Sequence, residues 1–525
     1  MSELPGVPVS YWIDSTEATD FPPLPDELEV DVAVLGGGIA GLSAAAALKA
    51  AGRTVAVVEA GRILEGVTGN TTAKVTASHG RLYAYLVDKF GEERARLYAD
   101  SQQAAIEQIA RVVETEGVDC DLVRTESYIY TEDPAELESL EQEVEGATRC
   151  GLPVSLVNDV PLPYDVAGAI RYDGQARFHP RKYLLHVARG VAGDGSVILE
   201  NTRALDVDDT DPCVVTTDRG VLRARDVVVA THIPFLDRGM FFARQFPMRD
   251  YVVSARMSRE DAPDGMFLST EQPTHSIRVT EDGDAMLLIV GGEGHTTGRE
   301  HDQDERWQRL EQWTRERFGV TEFTHRWATQ DYTSTDRVPF VGRFHPGSKH
   351  LWVATAFGAW GMTNGTMSGL LLADLITGTD NPWAEVYDPG RTVPPVEKAK
   401  TFVKENLAVA KQLASGYLSP GDVGSVDELE PGQAAVIRDG LGKTAAYRDD
   451  DGVLHAVSAS CTHLGCIVGW NPGEKSWDCP CHGSRFGVDG EVLHGPAVKP
   501  LAQVGASSVP SGDESNDASN DAASS

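Results

Sequence analysis

The stretch Asp31-Val-Ala-Val-Leu-Gly36-Gly37-Gly38-Ile39-Ala40-Gly41-Leu42 decides how this chain folds. Residues 29–35 read as a buried strand, and residues 42–51 have the Ala and Leu composition of a tightly packed helix stopped by Gly52. Between them, Gly36, Gly38 and Gly41 form a GxGxxG turn. The first glycine allows the tight turn, the second lets backbone approach a pyrophosphate, and the third lets helix and strand pack closely. The helix N-terminus adds unpaired N–H groups and the positive end of its dipole. Residues 54–58 form a second apolar strand ending in Glu59, which lies 59 − 41 = 18 residues past the third glycine. A carboxylate there accepts hydrogen bonds from ribose hydroxyls and disfavours a 2′-phosphate. A lone Gly-rich turn would be a weak signal. A complete strand, turn, helix and strand unit with its terminal acid predicts a dinucleotide site in an α/β Rossmann-like domain.

Outward from this unit, residues 82–113, 134–150 and 180–191 read as helices. The valine run at 226–230 reads as a parallel strand buried on both faces. Strands are expected at 286–290 and 351–354, and a helix at 365–376. A Pro-containing break at 388–395 leads into a connecting helix at 396–413 and a Gly/Ser/Pro linker at 415–424. Beyond it the pattern becomes short strands at 434–437, 444–448 and 454–458. Residues 507–525 form a Ser/Asp/Asn/Gly run without aromatics, expected to be disordered. No internal repeat is evident.

The chain has 525 residues and 46 − 79 = −33 formal charges, with 41% apolar and 24% charged residues. That length implies two or three domains, and that apolar content suffices for real cores. Phosphate recognition wants Lys and Arg footprints, so this acidic balance disfavours nucleic acid. Lys occurs 12 times against 34 Arg. A Lys-poor, acid-rich composition suits a salty, halophile-type cytoplasm, where screening shortens repulsion; an Arg-favouring genome with an acidic tail would look similar. The first 20 residues carry no basic region and no apolar run, and no stretch approaches the ~20 apolar residues of a membrane helix. A soluble, cytoplasmic protein with no membrane span is expected. Cys120, Cys150 and Cys213 are scattered, whereas Cys461, Cys466, Cys479 and Cys481 are clustered, which reads as metal or redox chemistry.

FAD is favoured over NAD because the glycine motif opens the chain and a second flavin-type segment lies far downstream. Residues 30 to about 378 resemble FAD-dependent oxidoreductases of the D-amino-acid oxidase and glycine oxidase type. The resemblance rests on the opening stretch and on Gly66-Val-Thr-Gly-Asn70-Thr71-Thr72-Ala-Lys74. It rests further on Val227-Val-Val-Ala-Thr231, on Asp336-Arg-Val-Pro-Phe-Val-Gly342 and on Ala356-Phe-Gly358-Ala-Trp-Gly361-Met362-Thr363. In that family the last segment closes over the isoalloxazine. The resemblance therefore implies flavin contacts at Gly358, Gly361, Met362 and Thr363, whose small side chains and backbone N–H groups stabilise an anionic reduced ring. Asn70, Thr71 and Thr72 supply short polar groups for the pyrophosphate and ribityl chain. Some relatives tether FAD through a cysteine just before a Tyr-Thr element; here Gln330 stands there, ahead of Asp331-Tyr332-Thr333, so non-covalent FAD is expected. His79, Tyr332 and Arg337 are the candidate catalytic residues, and Arg278 lies on a strand entering the substrate region. The family's hydride transfer from the α-carbon of an amine requires little acid–base help.

The second constellation is Cys461-Thr-His463-Leu-Gly-Cys466, then twelve residues, then Cys479-Pro-Cys481-His482-Gly-Ser484. Two Cys and two His can hold a 2Fe–2S centre asymmetrically, and neutral imidazoles raise its potential to roughly −150 to +300 mV. Zinc also uses such ligands, but it leaves two cysteines and the flanking glycines unexplained. Residues 421–504 resemble Rieske domains. By that resemblance Cys461 and Cys479 hold one iron, His463 and His482 the other, Cys466 and Cys481 form a disulfide, and Ser484 donates to a cluster sulfur. High-potential members carry Tyr two residues after that serine. Phe486 stands here, which implies a lower potential.

The expected molecule is an α/β Rossmann-like FAD-binding domain with an α+β substrate domain, followed by a small all-β Rieske domain. Its boundaries are an N-terminal extension at 1–29, the FAD-binding and substrate domain at 30–395, a linker helix at 396–420, the Rieske domain at 421–506 and a disordered acidic tail at 507–525. Joining two cofactors implies an FAD-dependent dehydrogenase or oxidase acting on a small-molecule amine or amino acid. Its electrons would leave singly, through the cluster, to an external one-electron carrier. Flow from a ferredoxin-like donor through the cluster into FAD stays open, as does a non-catalytic redox sensor. An electron-transfer module serving a nicotinamide donor would need a second GxGxxG unit, and none is found.

Overall fold

The structure, a computed structural model, describes residues 4–300, 302–391, 406–413, 415–417, 421–439 and 442–505. Two compact units emerge: residues 1–295 with 305–401, and residues 296–304 with 402–525.

In the first unit, ten elements position the site. They are β1 (Glu27–Leu35), α1 (Ile39–Ala50), β2 (Val55–Val58), α2 (Glu92–Glu116), β3 (Val221–Val229), β4 (Gln245–Met257), β5 (Ala285–Thr296), β6 (Phe323–Ser334), β7 (Leu351–Thr355) and α3 (Gly361–Thr377). Among the described residues, one sheet runs in the order Phe340–Arg343, β7, β3, β1, β2 and Val197–Leu199, with a hairpin of two further strands beside β3. β1 pairs in parallel with β2 from Val32↔Val55 to Leu35↔Val58, and with β3 up to Leu35↔Val229. Every residue of β2 is buried, because a parallel sheet is covered on both faces. The C-terminal ends of β1, β2 and β3 therefore converge on the glycine turn, where ligands of such sheets bind.

A second sheet of the described residues begins β6, β4, β5 and continues through Ser276–Asp282, Met266–Ser269, Val123–Thr131 and Gly168–Arg177 to Lys74–Val75. β4 and β6 are antiparallel, with Met248↔Asp331, Asp250↔Thr329 and Val252↔Trp327 opposed. Directly opposed residues share a face. One face holds Pro247, Arg249, Tyr251, Gln330 and Tyr332, all buried; the other holds Phe246, Met248, Asp250, Thr329 and Thr333, all half-buried.

Several sequence expectations need correction. The helix expected at 82–113 is two helices, Tyr83–Phe90 and α2, because Gly91 at φ +84° turns the chain between them. The one expected at 134–150 opens as a 3₁₀ turn, Pro134–Glu136, before Leu137–Arg149. The strand expected at 226–230 is the C-terminal half of the longer β3, and that at 286–290 is part of the longer β5. Within the N-terminal extension, β1 begins at Glu27, two residues before the expected strand, and Trp12 on the short helix Tyr11–Asp14 is fully buried in the main core. Of the linker helix at 396–420, residues 406–413 and 415–417 are helical, and the remainder lies outside the described residues. The expected disordered tail at 507–525 also lies outside them.

The second unit contains two small antiparallel sheets among its described residues. One is Ala434–Asp439, Gly442–Arg448 and Leu454–Ser458; the other is Gly469–Asn471, Ser476–Asp478, Arg485–Phe486 and Val492–His494. Its core gathers Val457, Trp477 and Phe486 around the four clustered cysteines. Among the described residues no helix is long and apolar enough to cross a membrane.

Candidate functional site

The glycine turn is built by exclusion of side chains. Gly36 sits at φ +111°, and a Cβ there would lie 2.3 Å from the Ala230 carbonyl at the end of β3. A Cβ on Gly41 would lie 1.9 Å from the Gly36 carbonyl, so only glycine lets α1 start this close to β1. Gly38 caps α1 with no side-chain hydrogen bond. Beside it Thr68 Oγ1 accepts from Ile39 N at 3.0 Å. Glu59 reaches across the turn: its carboxylate accepts from Gly37 N at 2.8 Å and from Gly61 N at 3.0 Å. Burial raises its pKa, and the two N–H groups oppose that shift. An α1 N-terminus that opens on a glycine, beside an acid at the end of β2, fits a dinucleotide with free ribose hydroxyls.

A second helix N-terminus meets the first. α3 also begins without a side-chain cap, after Ala356, Gly358 and Ala359 in left-handed conformations at φ +65°, +59° and +70°. Non-glycine residues pay for that backbone, and such strain collects where a loop must approach a ligand. α1 and α3 cross through glycines: a Cβ on Gly365 would lie 2.7 Å from Ile39 Cγ2, and one on Gly369 would lie 2.5 Å from the Ser43 carbonyl carbon. Gly361, Met362 and Thr363 form the first turn of α3.

The remaining candidates divide. Asn70 Nδ2 donates to the carbonyls of Glu65 and Gly66, at 3.1 and 2.8 Å, and Thr71 Oγ1 accepts from Ala73 N at 3.0 Å. Both side chains thus shape their own loop, and the Thr71 carbonyl accepts from Trp12 Nε1 at 2.6 Å. The Thr72 carbonyl accepts from Arg278, which also reaches Ala73 and Phe178 carbonyls. Arg278 is fully buried and clamps this segment. His79 is buried with both ring nitrogens occupied: Nδ1 meets Tyr98 Oη at 2.7 Å, and Nε2 meets the Thr76 carbonyl at 2.8 Å and Thr363 Oγ1 at 3.0 Å. Burial holds its pKa down to about 3, and its ring stacks on Trp360. The neutral imidazole ties the 76–79 segment to the start of α3. Tyr332 lies on the buried face of β6, its hydroxyl accepting from Gln330 Nε2 at 3.0 Å. Arg337 Nη2 donates to the Arg81 carbonyl at 2.9 Å, with its guanidinium over the Tyr85 ring. All three candidate catalytic residues thus have structural partners.

Residues missed from sequence support the same place. Gln102 on α2 donates to Asn364 Oδ1 at 2.9 Å and so anchors α3. Asp331 accepts from Ala359 N at 2.5 Å, and His232, just past β3, meets it at 3.0 Å. No spacing rule could find these, because they come from elements far apart in sequence.

In the second unit, two loops repeat one geometry. The Cys461 carbonyl accepts from Gly465 N at 2.9 Å and the Cys479 carbonyl from Gly483 N at 3.1 Å, with both glycines left-handed. Cys466 and Cys481 are joined by a disulfide linking the loops. The sulfurs of Cys466, Cys479 and Cys481 lie within 4.8 Å of one another, but the disulfide removes two of them as thiolate ligands. Cys461 and Cys479 remain as thiols in side-chain contact, and the His463 and His482 rings meet edge to face with centroids 5.0 Å apart. Burial, with the neighbouring His463, holds His482 down to about 3, the neutral form a metal ligand requires. Ser484 is fully buried, touches Cys461 and accepts from Ala497 N at 3.1 Å. Two thiols, two imidazoles and a closing disulfide fit an asymmetric 2Fe–2S centre and leave no role for a third thiol.

Comparison with known proteins agrees with both halves. The family model described as FAD dependent oxidoreductase matches residues 31–375, and that described as Rieske [2Fe-2S] domain matches residues 419–505. The Rieske 2Fe-2S iron-sulfur protein YhfW of Bacillus subtilis is 36% identical over 501 residues, covering 95% of this chain and 97% of that one. The gamma-glutamylputrescine oxidoreductase of Escherichia coli is 24% identical over 400 residues, covering 73% of this chain and 91% of its own. Glycine oxidase from Geobacillus kaustophilus shares the fold at TM-score 0.59 and 19% identity, over 70% of this chain and 100% of that chain. The chain belongs to the FAD dependent oxidoreductase family and carries a C-terminal Rieske [2Fe-2S] domain.

Proposed function

We propose that this protein oxidises the C–N bond of a small amine or amino acid and releases the electrons to an external one-electron carrier. The observation that carries the reading is the presence in one chain of a two-electron cofactor site and a Cys/His one-electron centre, in the same order along almost the whole length of YhfW. The substrate class is supported by the likeness to gamma-glutamylputrescine oxidoreductase. FAD, when bound, accepts a hydride from the substrate carbon, and the cluster passes electrons on singly.

The chain's own residues bind and orient. Gly36, Gly38 and Gly41 leave room for the pyrophosphate at the N-terminus of α1, and Glu59 takes the ribose hydroxyls. Gly358, Gly361, Met362 and Thr363 present the start of α3 to the flavin ring, and His79 holds Thr363 in place. The Thr71–Thr72 backbone, clamped by Trp12 and Arg278, lines the same side. Cys461 and Cys479 would hold one iron of the cluster, and His463 and His482 the other. The flavin is held without a covalent bond, since Gln330 offers no thiol.

An anaerobic titration tests this. Candidate amines and amino acids should bleach the flavin absorbance, and the cluster's EPR signal should follow. Reduction of the cluster by a ferredoxin with a flavin that no such compound bleaches would reverse the direction of flow and sink the proposal.

A further inference from the structure

The half-buried face of β4 and β6 looks onto the proposed flavin segments, and it carries one carboxylate that no donor among the described residues reaches. Three contacts fix its direction. Trp327 Nε1 donates to the Asn70 carbonyl at 2.9 Å, Ala359 N donates to Asp331 Oδ2 at 2.5 Å, and a Cβ on Gly358 would lie 3.5 Å from Thr333 Oγ1. Asp331 on this face is saturated, because its Oδ1 also accepts from Tyr332 N at 2.6 Å and meets His232 Nε2 at 3.0 Å. Asp250, diagonal to it across the strand pair, is different. Among the described residues no hydrogen-bond donor reaches its side chain; its neighbours act on it only through their charge. The fold nevertheless reserves space for it: on the adjacent β5, a Cβ on Gly294 would lie 2.3 Å from Asp250 Oδ1.

A half-buried carboxylate without protein donors has lost part of its hydration, and a cation that brings N–H groups offsets that loss. Burial and the charge of Asp331 push the Asp250 carboxyl up to about 6, while Arg249, on the opposite face, pulls slightly the other way. A second carboxylate brought by a ligand would be repelled by both acids. Resting on the amine reading above, we propose that Asp250 anchors the substrate's ammonium group, and that the substrate class is a cationic alkyl amine or diamine with no carboxylate on the reacting carbon. The step is binding alone, and no proton is transferred.

The test uses the full-length holoprotein, with 1,4-diaminobutane and n-butylamine against alanine and proline, under anaerobic conditions. Perturbation of the flavin absorbance band reports binding, and bleaching reports oxidation. The half-saturating amine concentration should rise about 10- to 100-fold in Asp250→Asn, the loss expected for one charge-assisted contact. Its FAD content and cluster EPR signal should match the unaltered protein. Should that variant lose FAD, the unaltered protein still answers: amine binding should weaken about tenfold per pH unit below about 6 as the Asp250 carboxyl protonates. The charged groups acting on Asp250 are Asp331, which His232 meets, and Arg249. Amine binding unchanged in an FAD-replete Asp250→Asn protein, a flat pH response, or a flavin band that answers to amino acids and not to amines would each overturn the proposal. An amine-shifted band that never bleaches keeps the anchor and removes the oxidation reading, so the two failures are distinguishable.

Discussion

His79 and Ser484 show what one side chain contributes in each half. Burial holds the His79 imidazole down to about 3, whereas an unfolded histidine titrates near about 6.5. The unfolded chain therefore takes up a proton that the folded chain refuses. The stability this group contributes is complete above about 6.5 and is lost as pH falls toward about 3, at about 1.4 kcal/mol per pH unit. His179, also buried and held down to about 3, acts in the same window. Urea midpoints measured from about pH 7 to about pH 4.5 should fall more steeply for the unaltered protein than for His79→Gln; parallel slopes would mean that His79 is not the group being titrated. At the cluster, Phe486 is fully buried and has no hydroxyl to donate. Phe486→Tyr should raise the cluster potential and Ser484→Ala should lower it, each by several tens of millivolts. One net hydrogen bond is worth about 1 kcal/mol, and about 59 mV corresponds to a tenfold change for a one-electron couple. A redox titration followed by EPR reads both. The ligand motif was legible in sequence because its residues are neighbours. That Tyr332 lies on the buried face of β6 was not legible, because proximity along the chain to a flavin segment does not say which face of a strand a residue takes.

At the scale of elements, the crossing of α1 and α3 holds the two helix N-termini together, and it depends on glycine. With 2.5 Å between a Gly369 Cβ and the Ser43 backbone, Gly369→Val must push the helices apart. The variant should lose several degrees of thermal midpoint and most of its FAD, read as the ratio of flavin to protein absorbance. Gly190→Ala near the end of the helix Pro180–Val191 meets nothing within 4 Å and should be neutral or stabilising, by up to about 1 kcal/mol. Equal FAD content in the two variants would show that the crossing does not support the cofactor site. The β1–α1–β2 unit was legible because all its signals sit within some thirty residues. The cleft face of β4 and β6 was not, since Asp250 and Thr329 become neighbours only through a register set between distant strands. The break at Gly91 was missed for another reason: amphipathic periodicity carries on across a left-handed glycine that turns the chain.

For the whole molecule, the decisive quantity is the surplus of 33 negative charges. Ion pairs such as Arg96–Glu92, Arg124–Glu107 and Lys475–Asp450 are solvent-exposed, and each such pair contributes about 0–1 kcal/mol, which salt weakens. Added salt therefore acts in two opposed ways, loosening these pairs and screening the repulsion among acids that have no basic partner. The composition settles the sign: 79 acids face 46 bases, so even if every base were paired, 33 acids would stay unmatched. At about 1 M salt the screening length falls to about 3 Å, which removes that repulsion almost entirely. The thermal midpoint should therefore rise steadily as KCl goes from about 0.1 to about 2 M. Potassium chloride is the right probe, because sulfate would strengthen apolar burial in any protein and give a rise of different origin. A midpoint that stays flat or falls with KCl would show that paired charges dominate, and with it would go the expectation that the composition suits high salt.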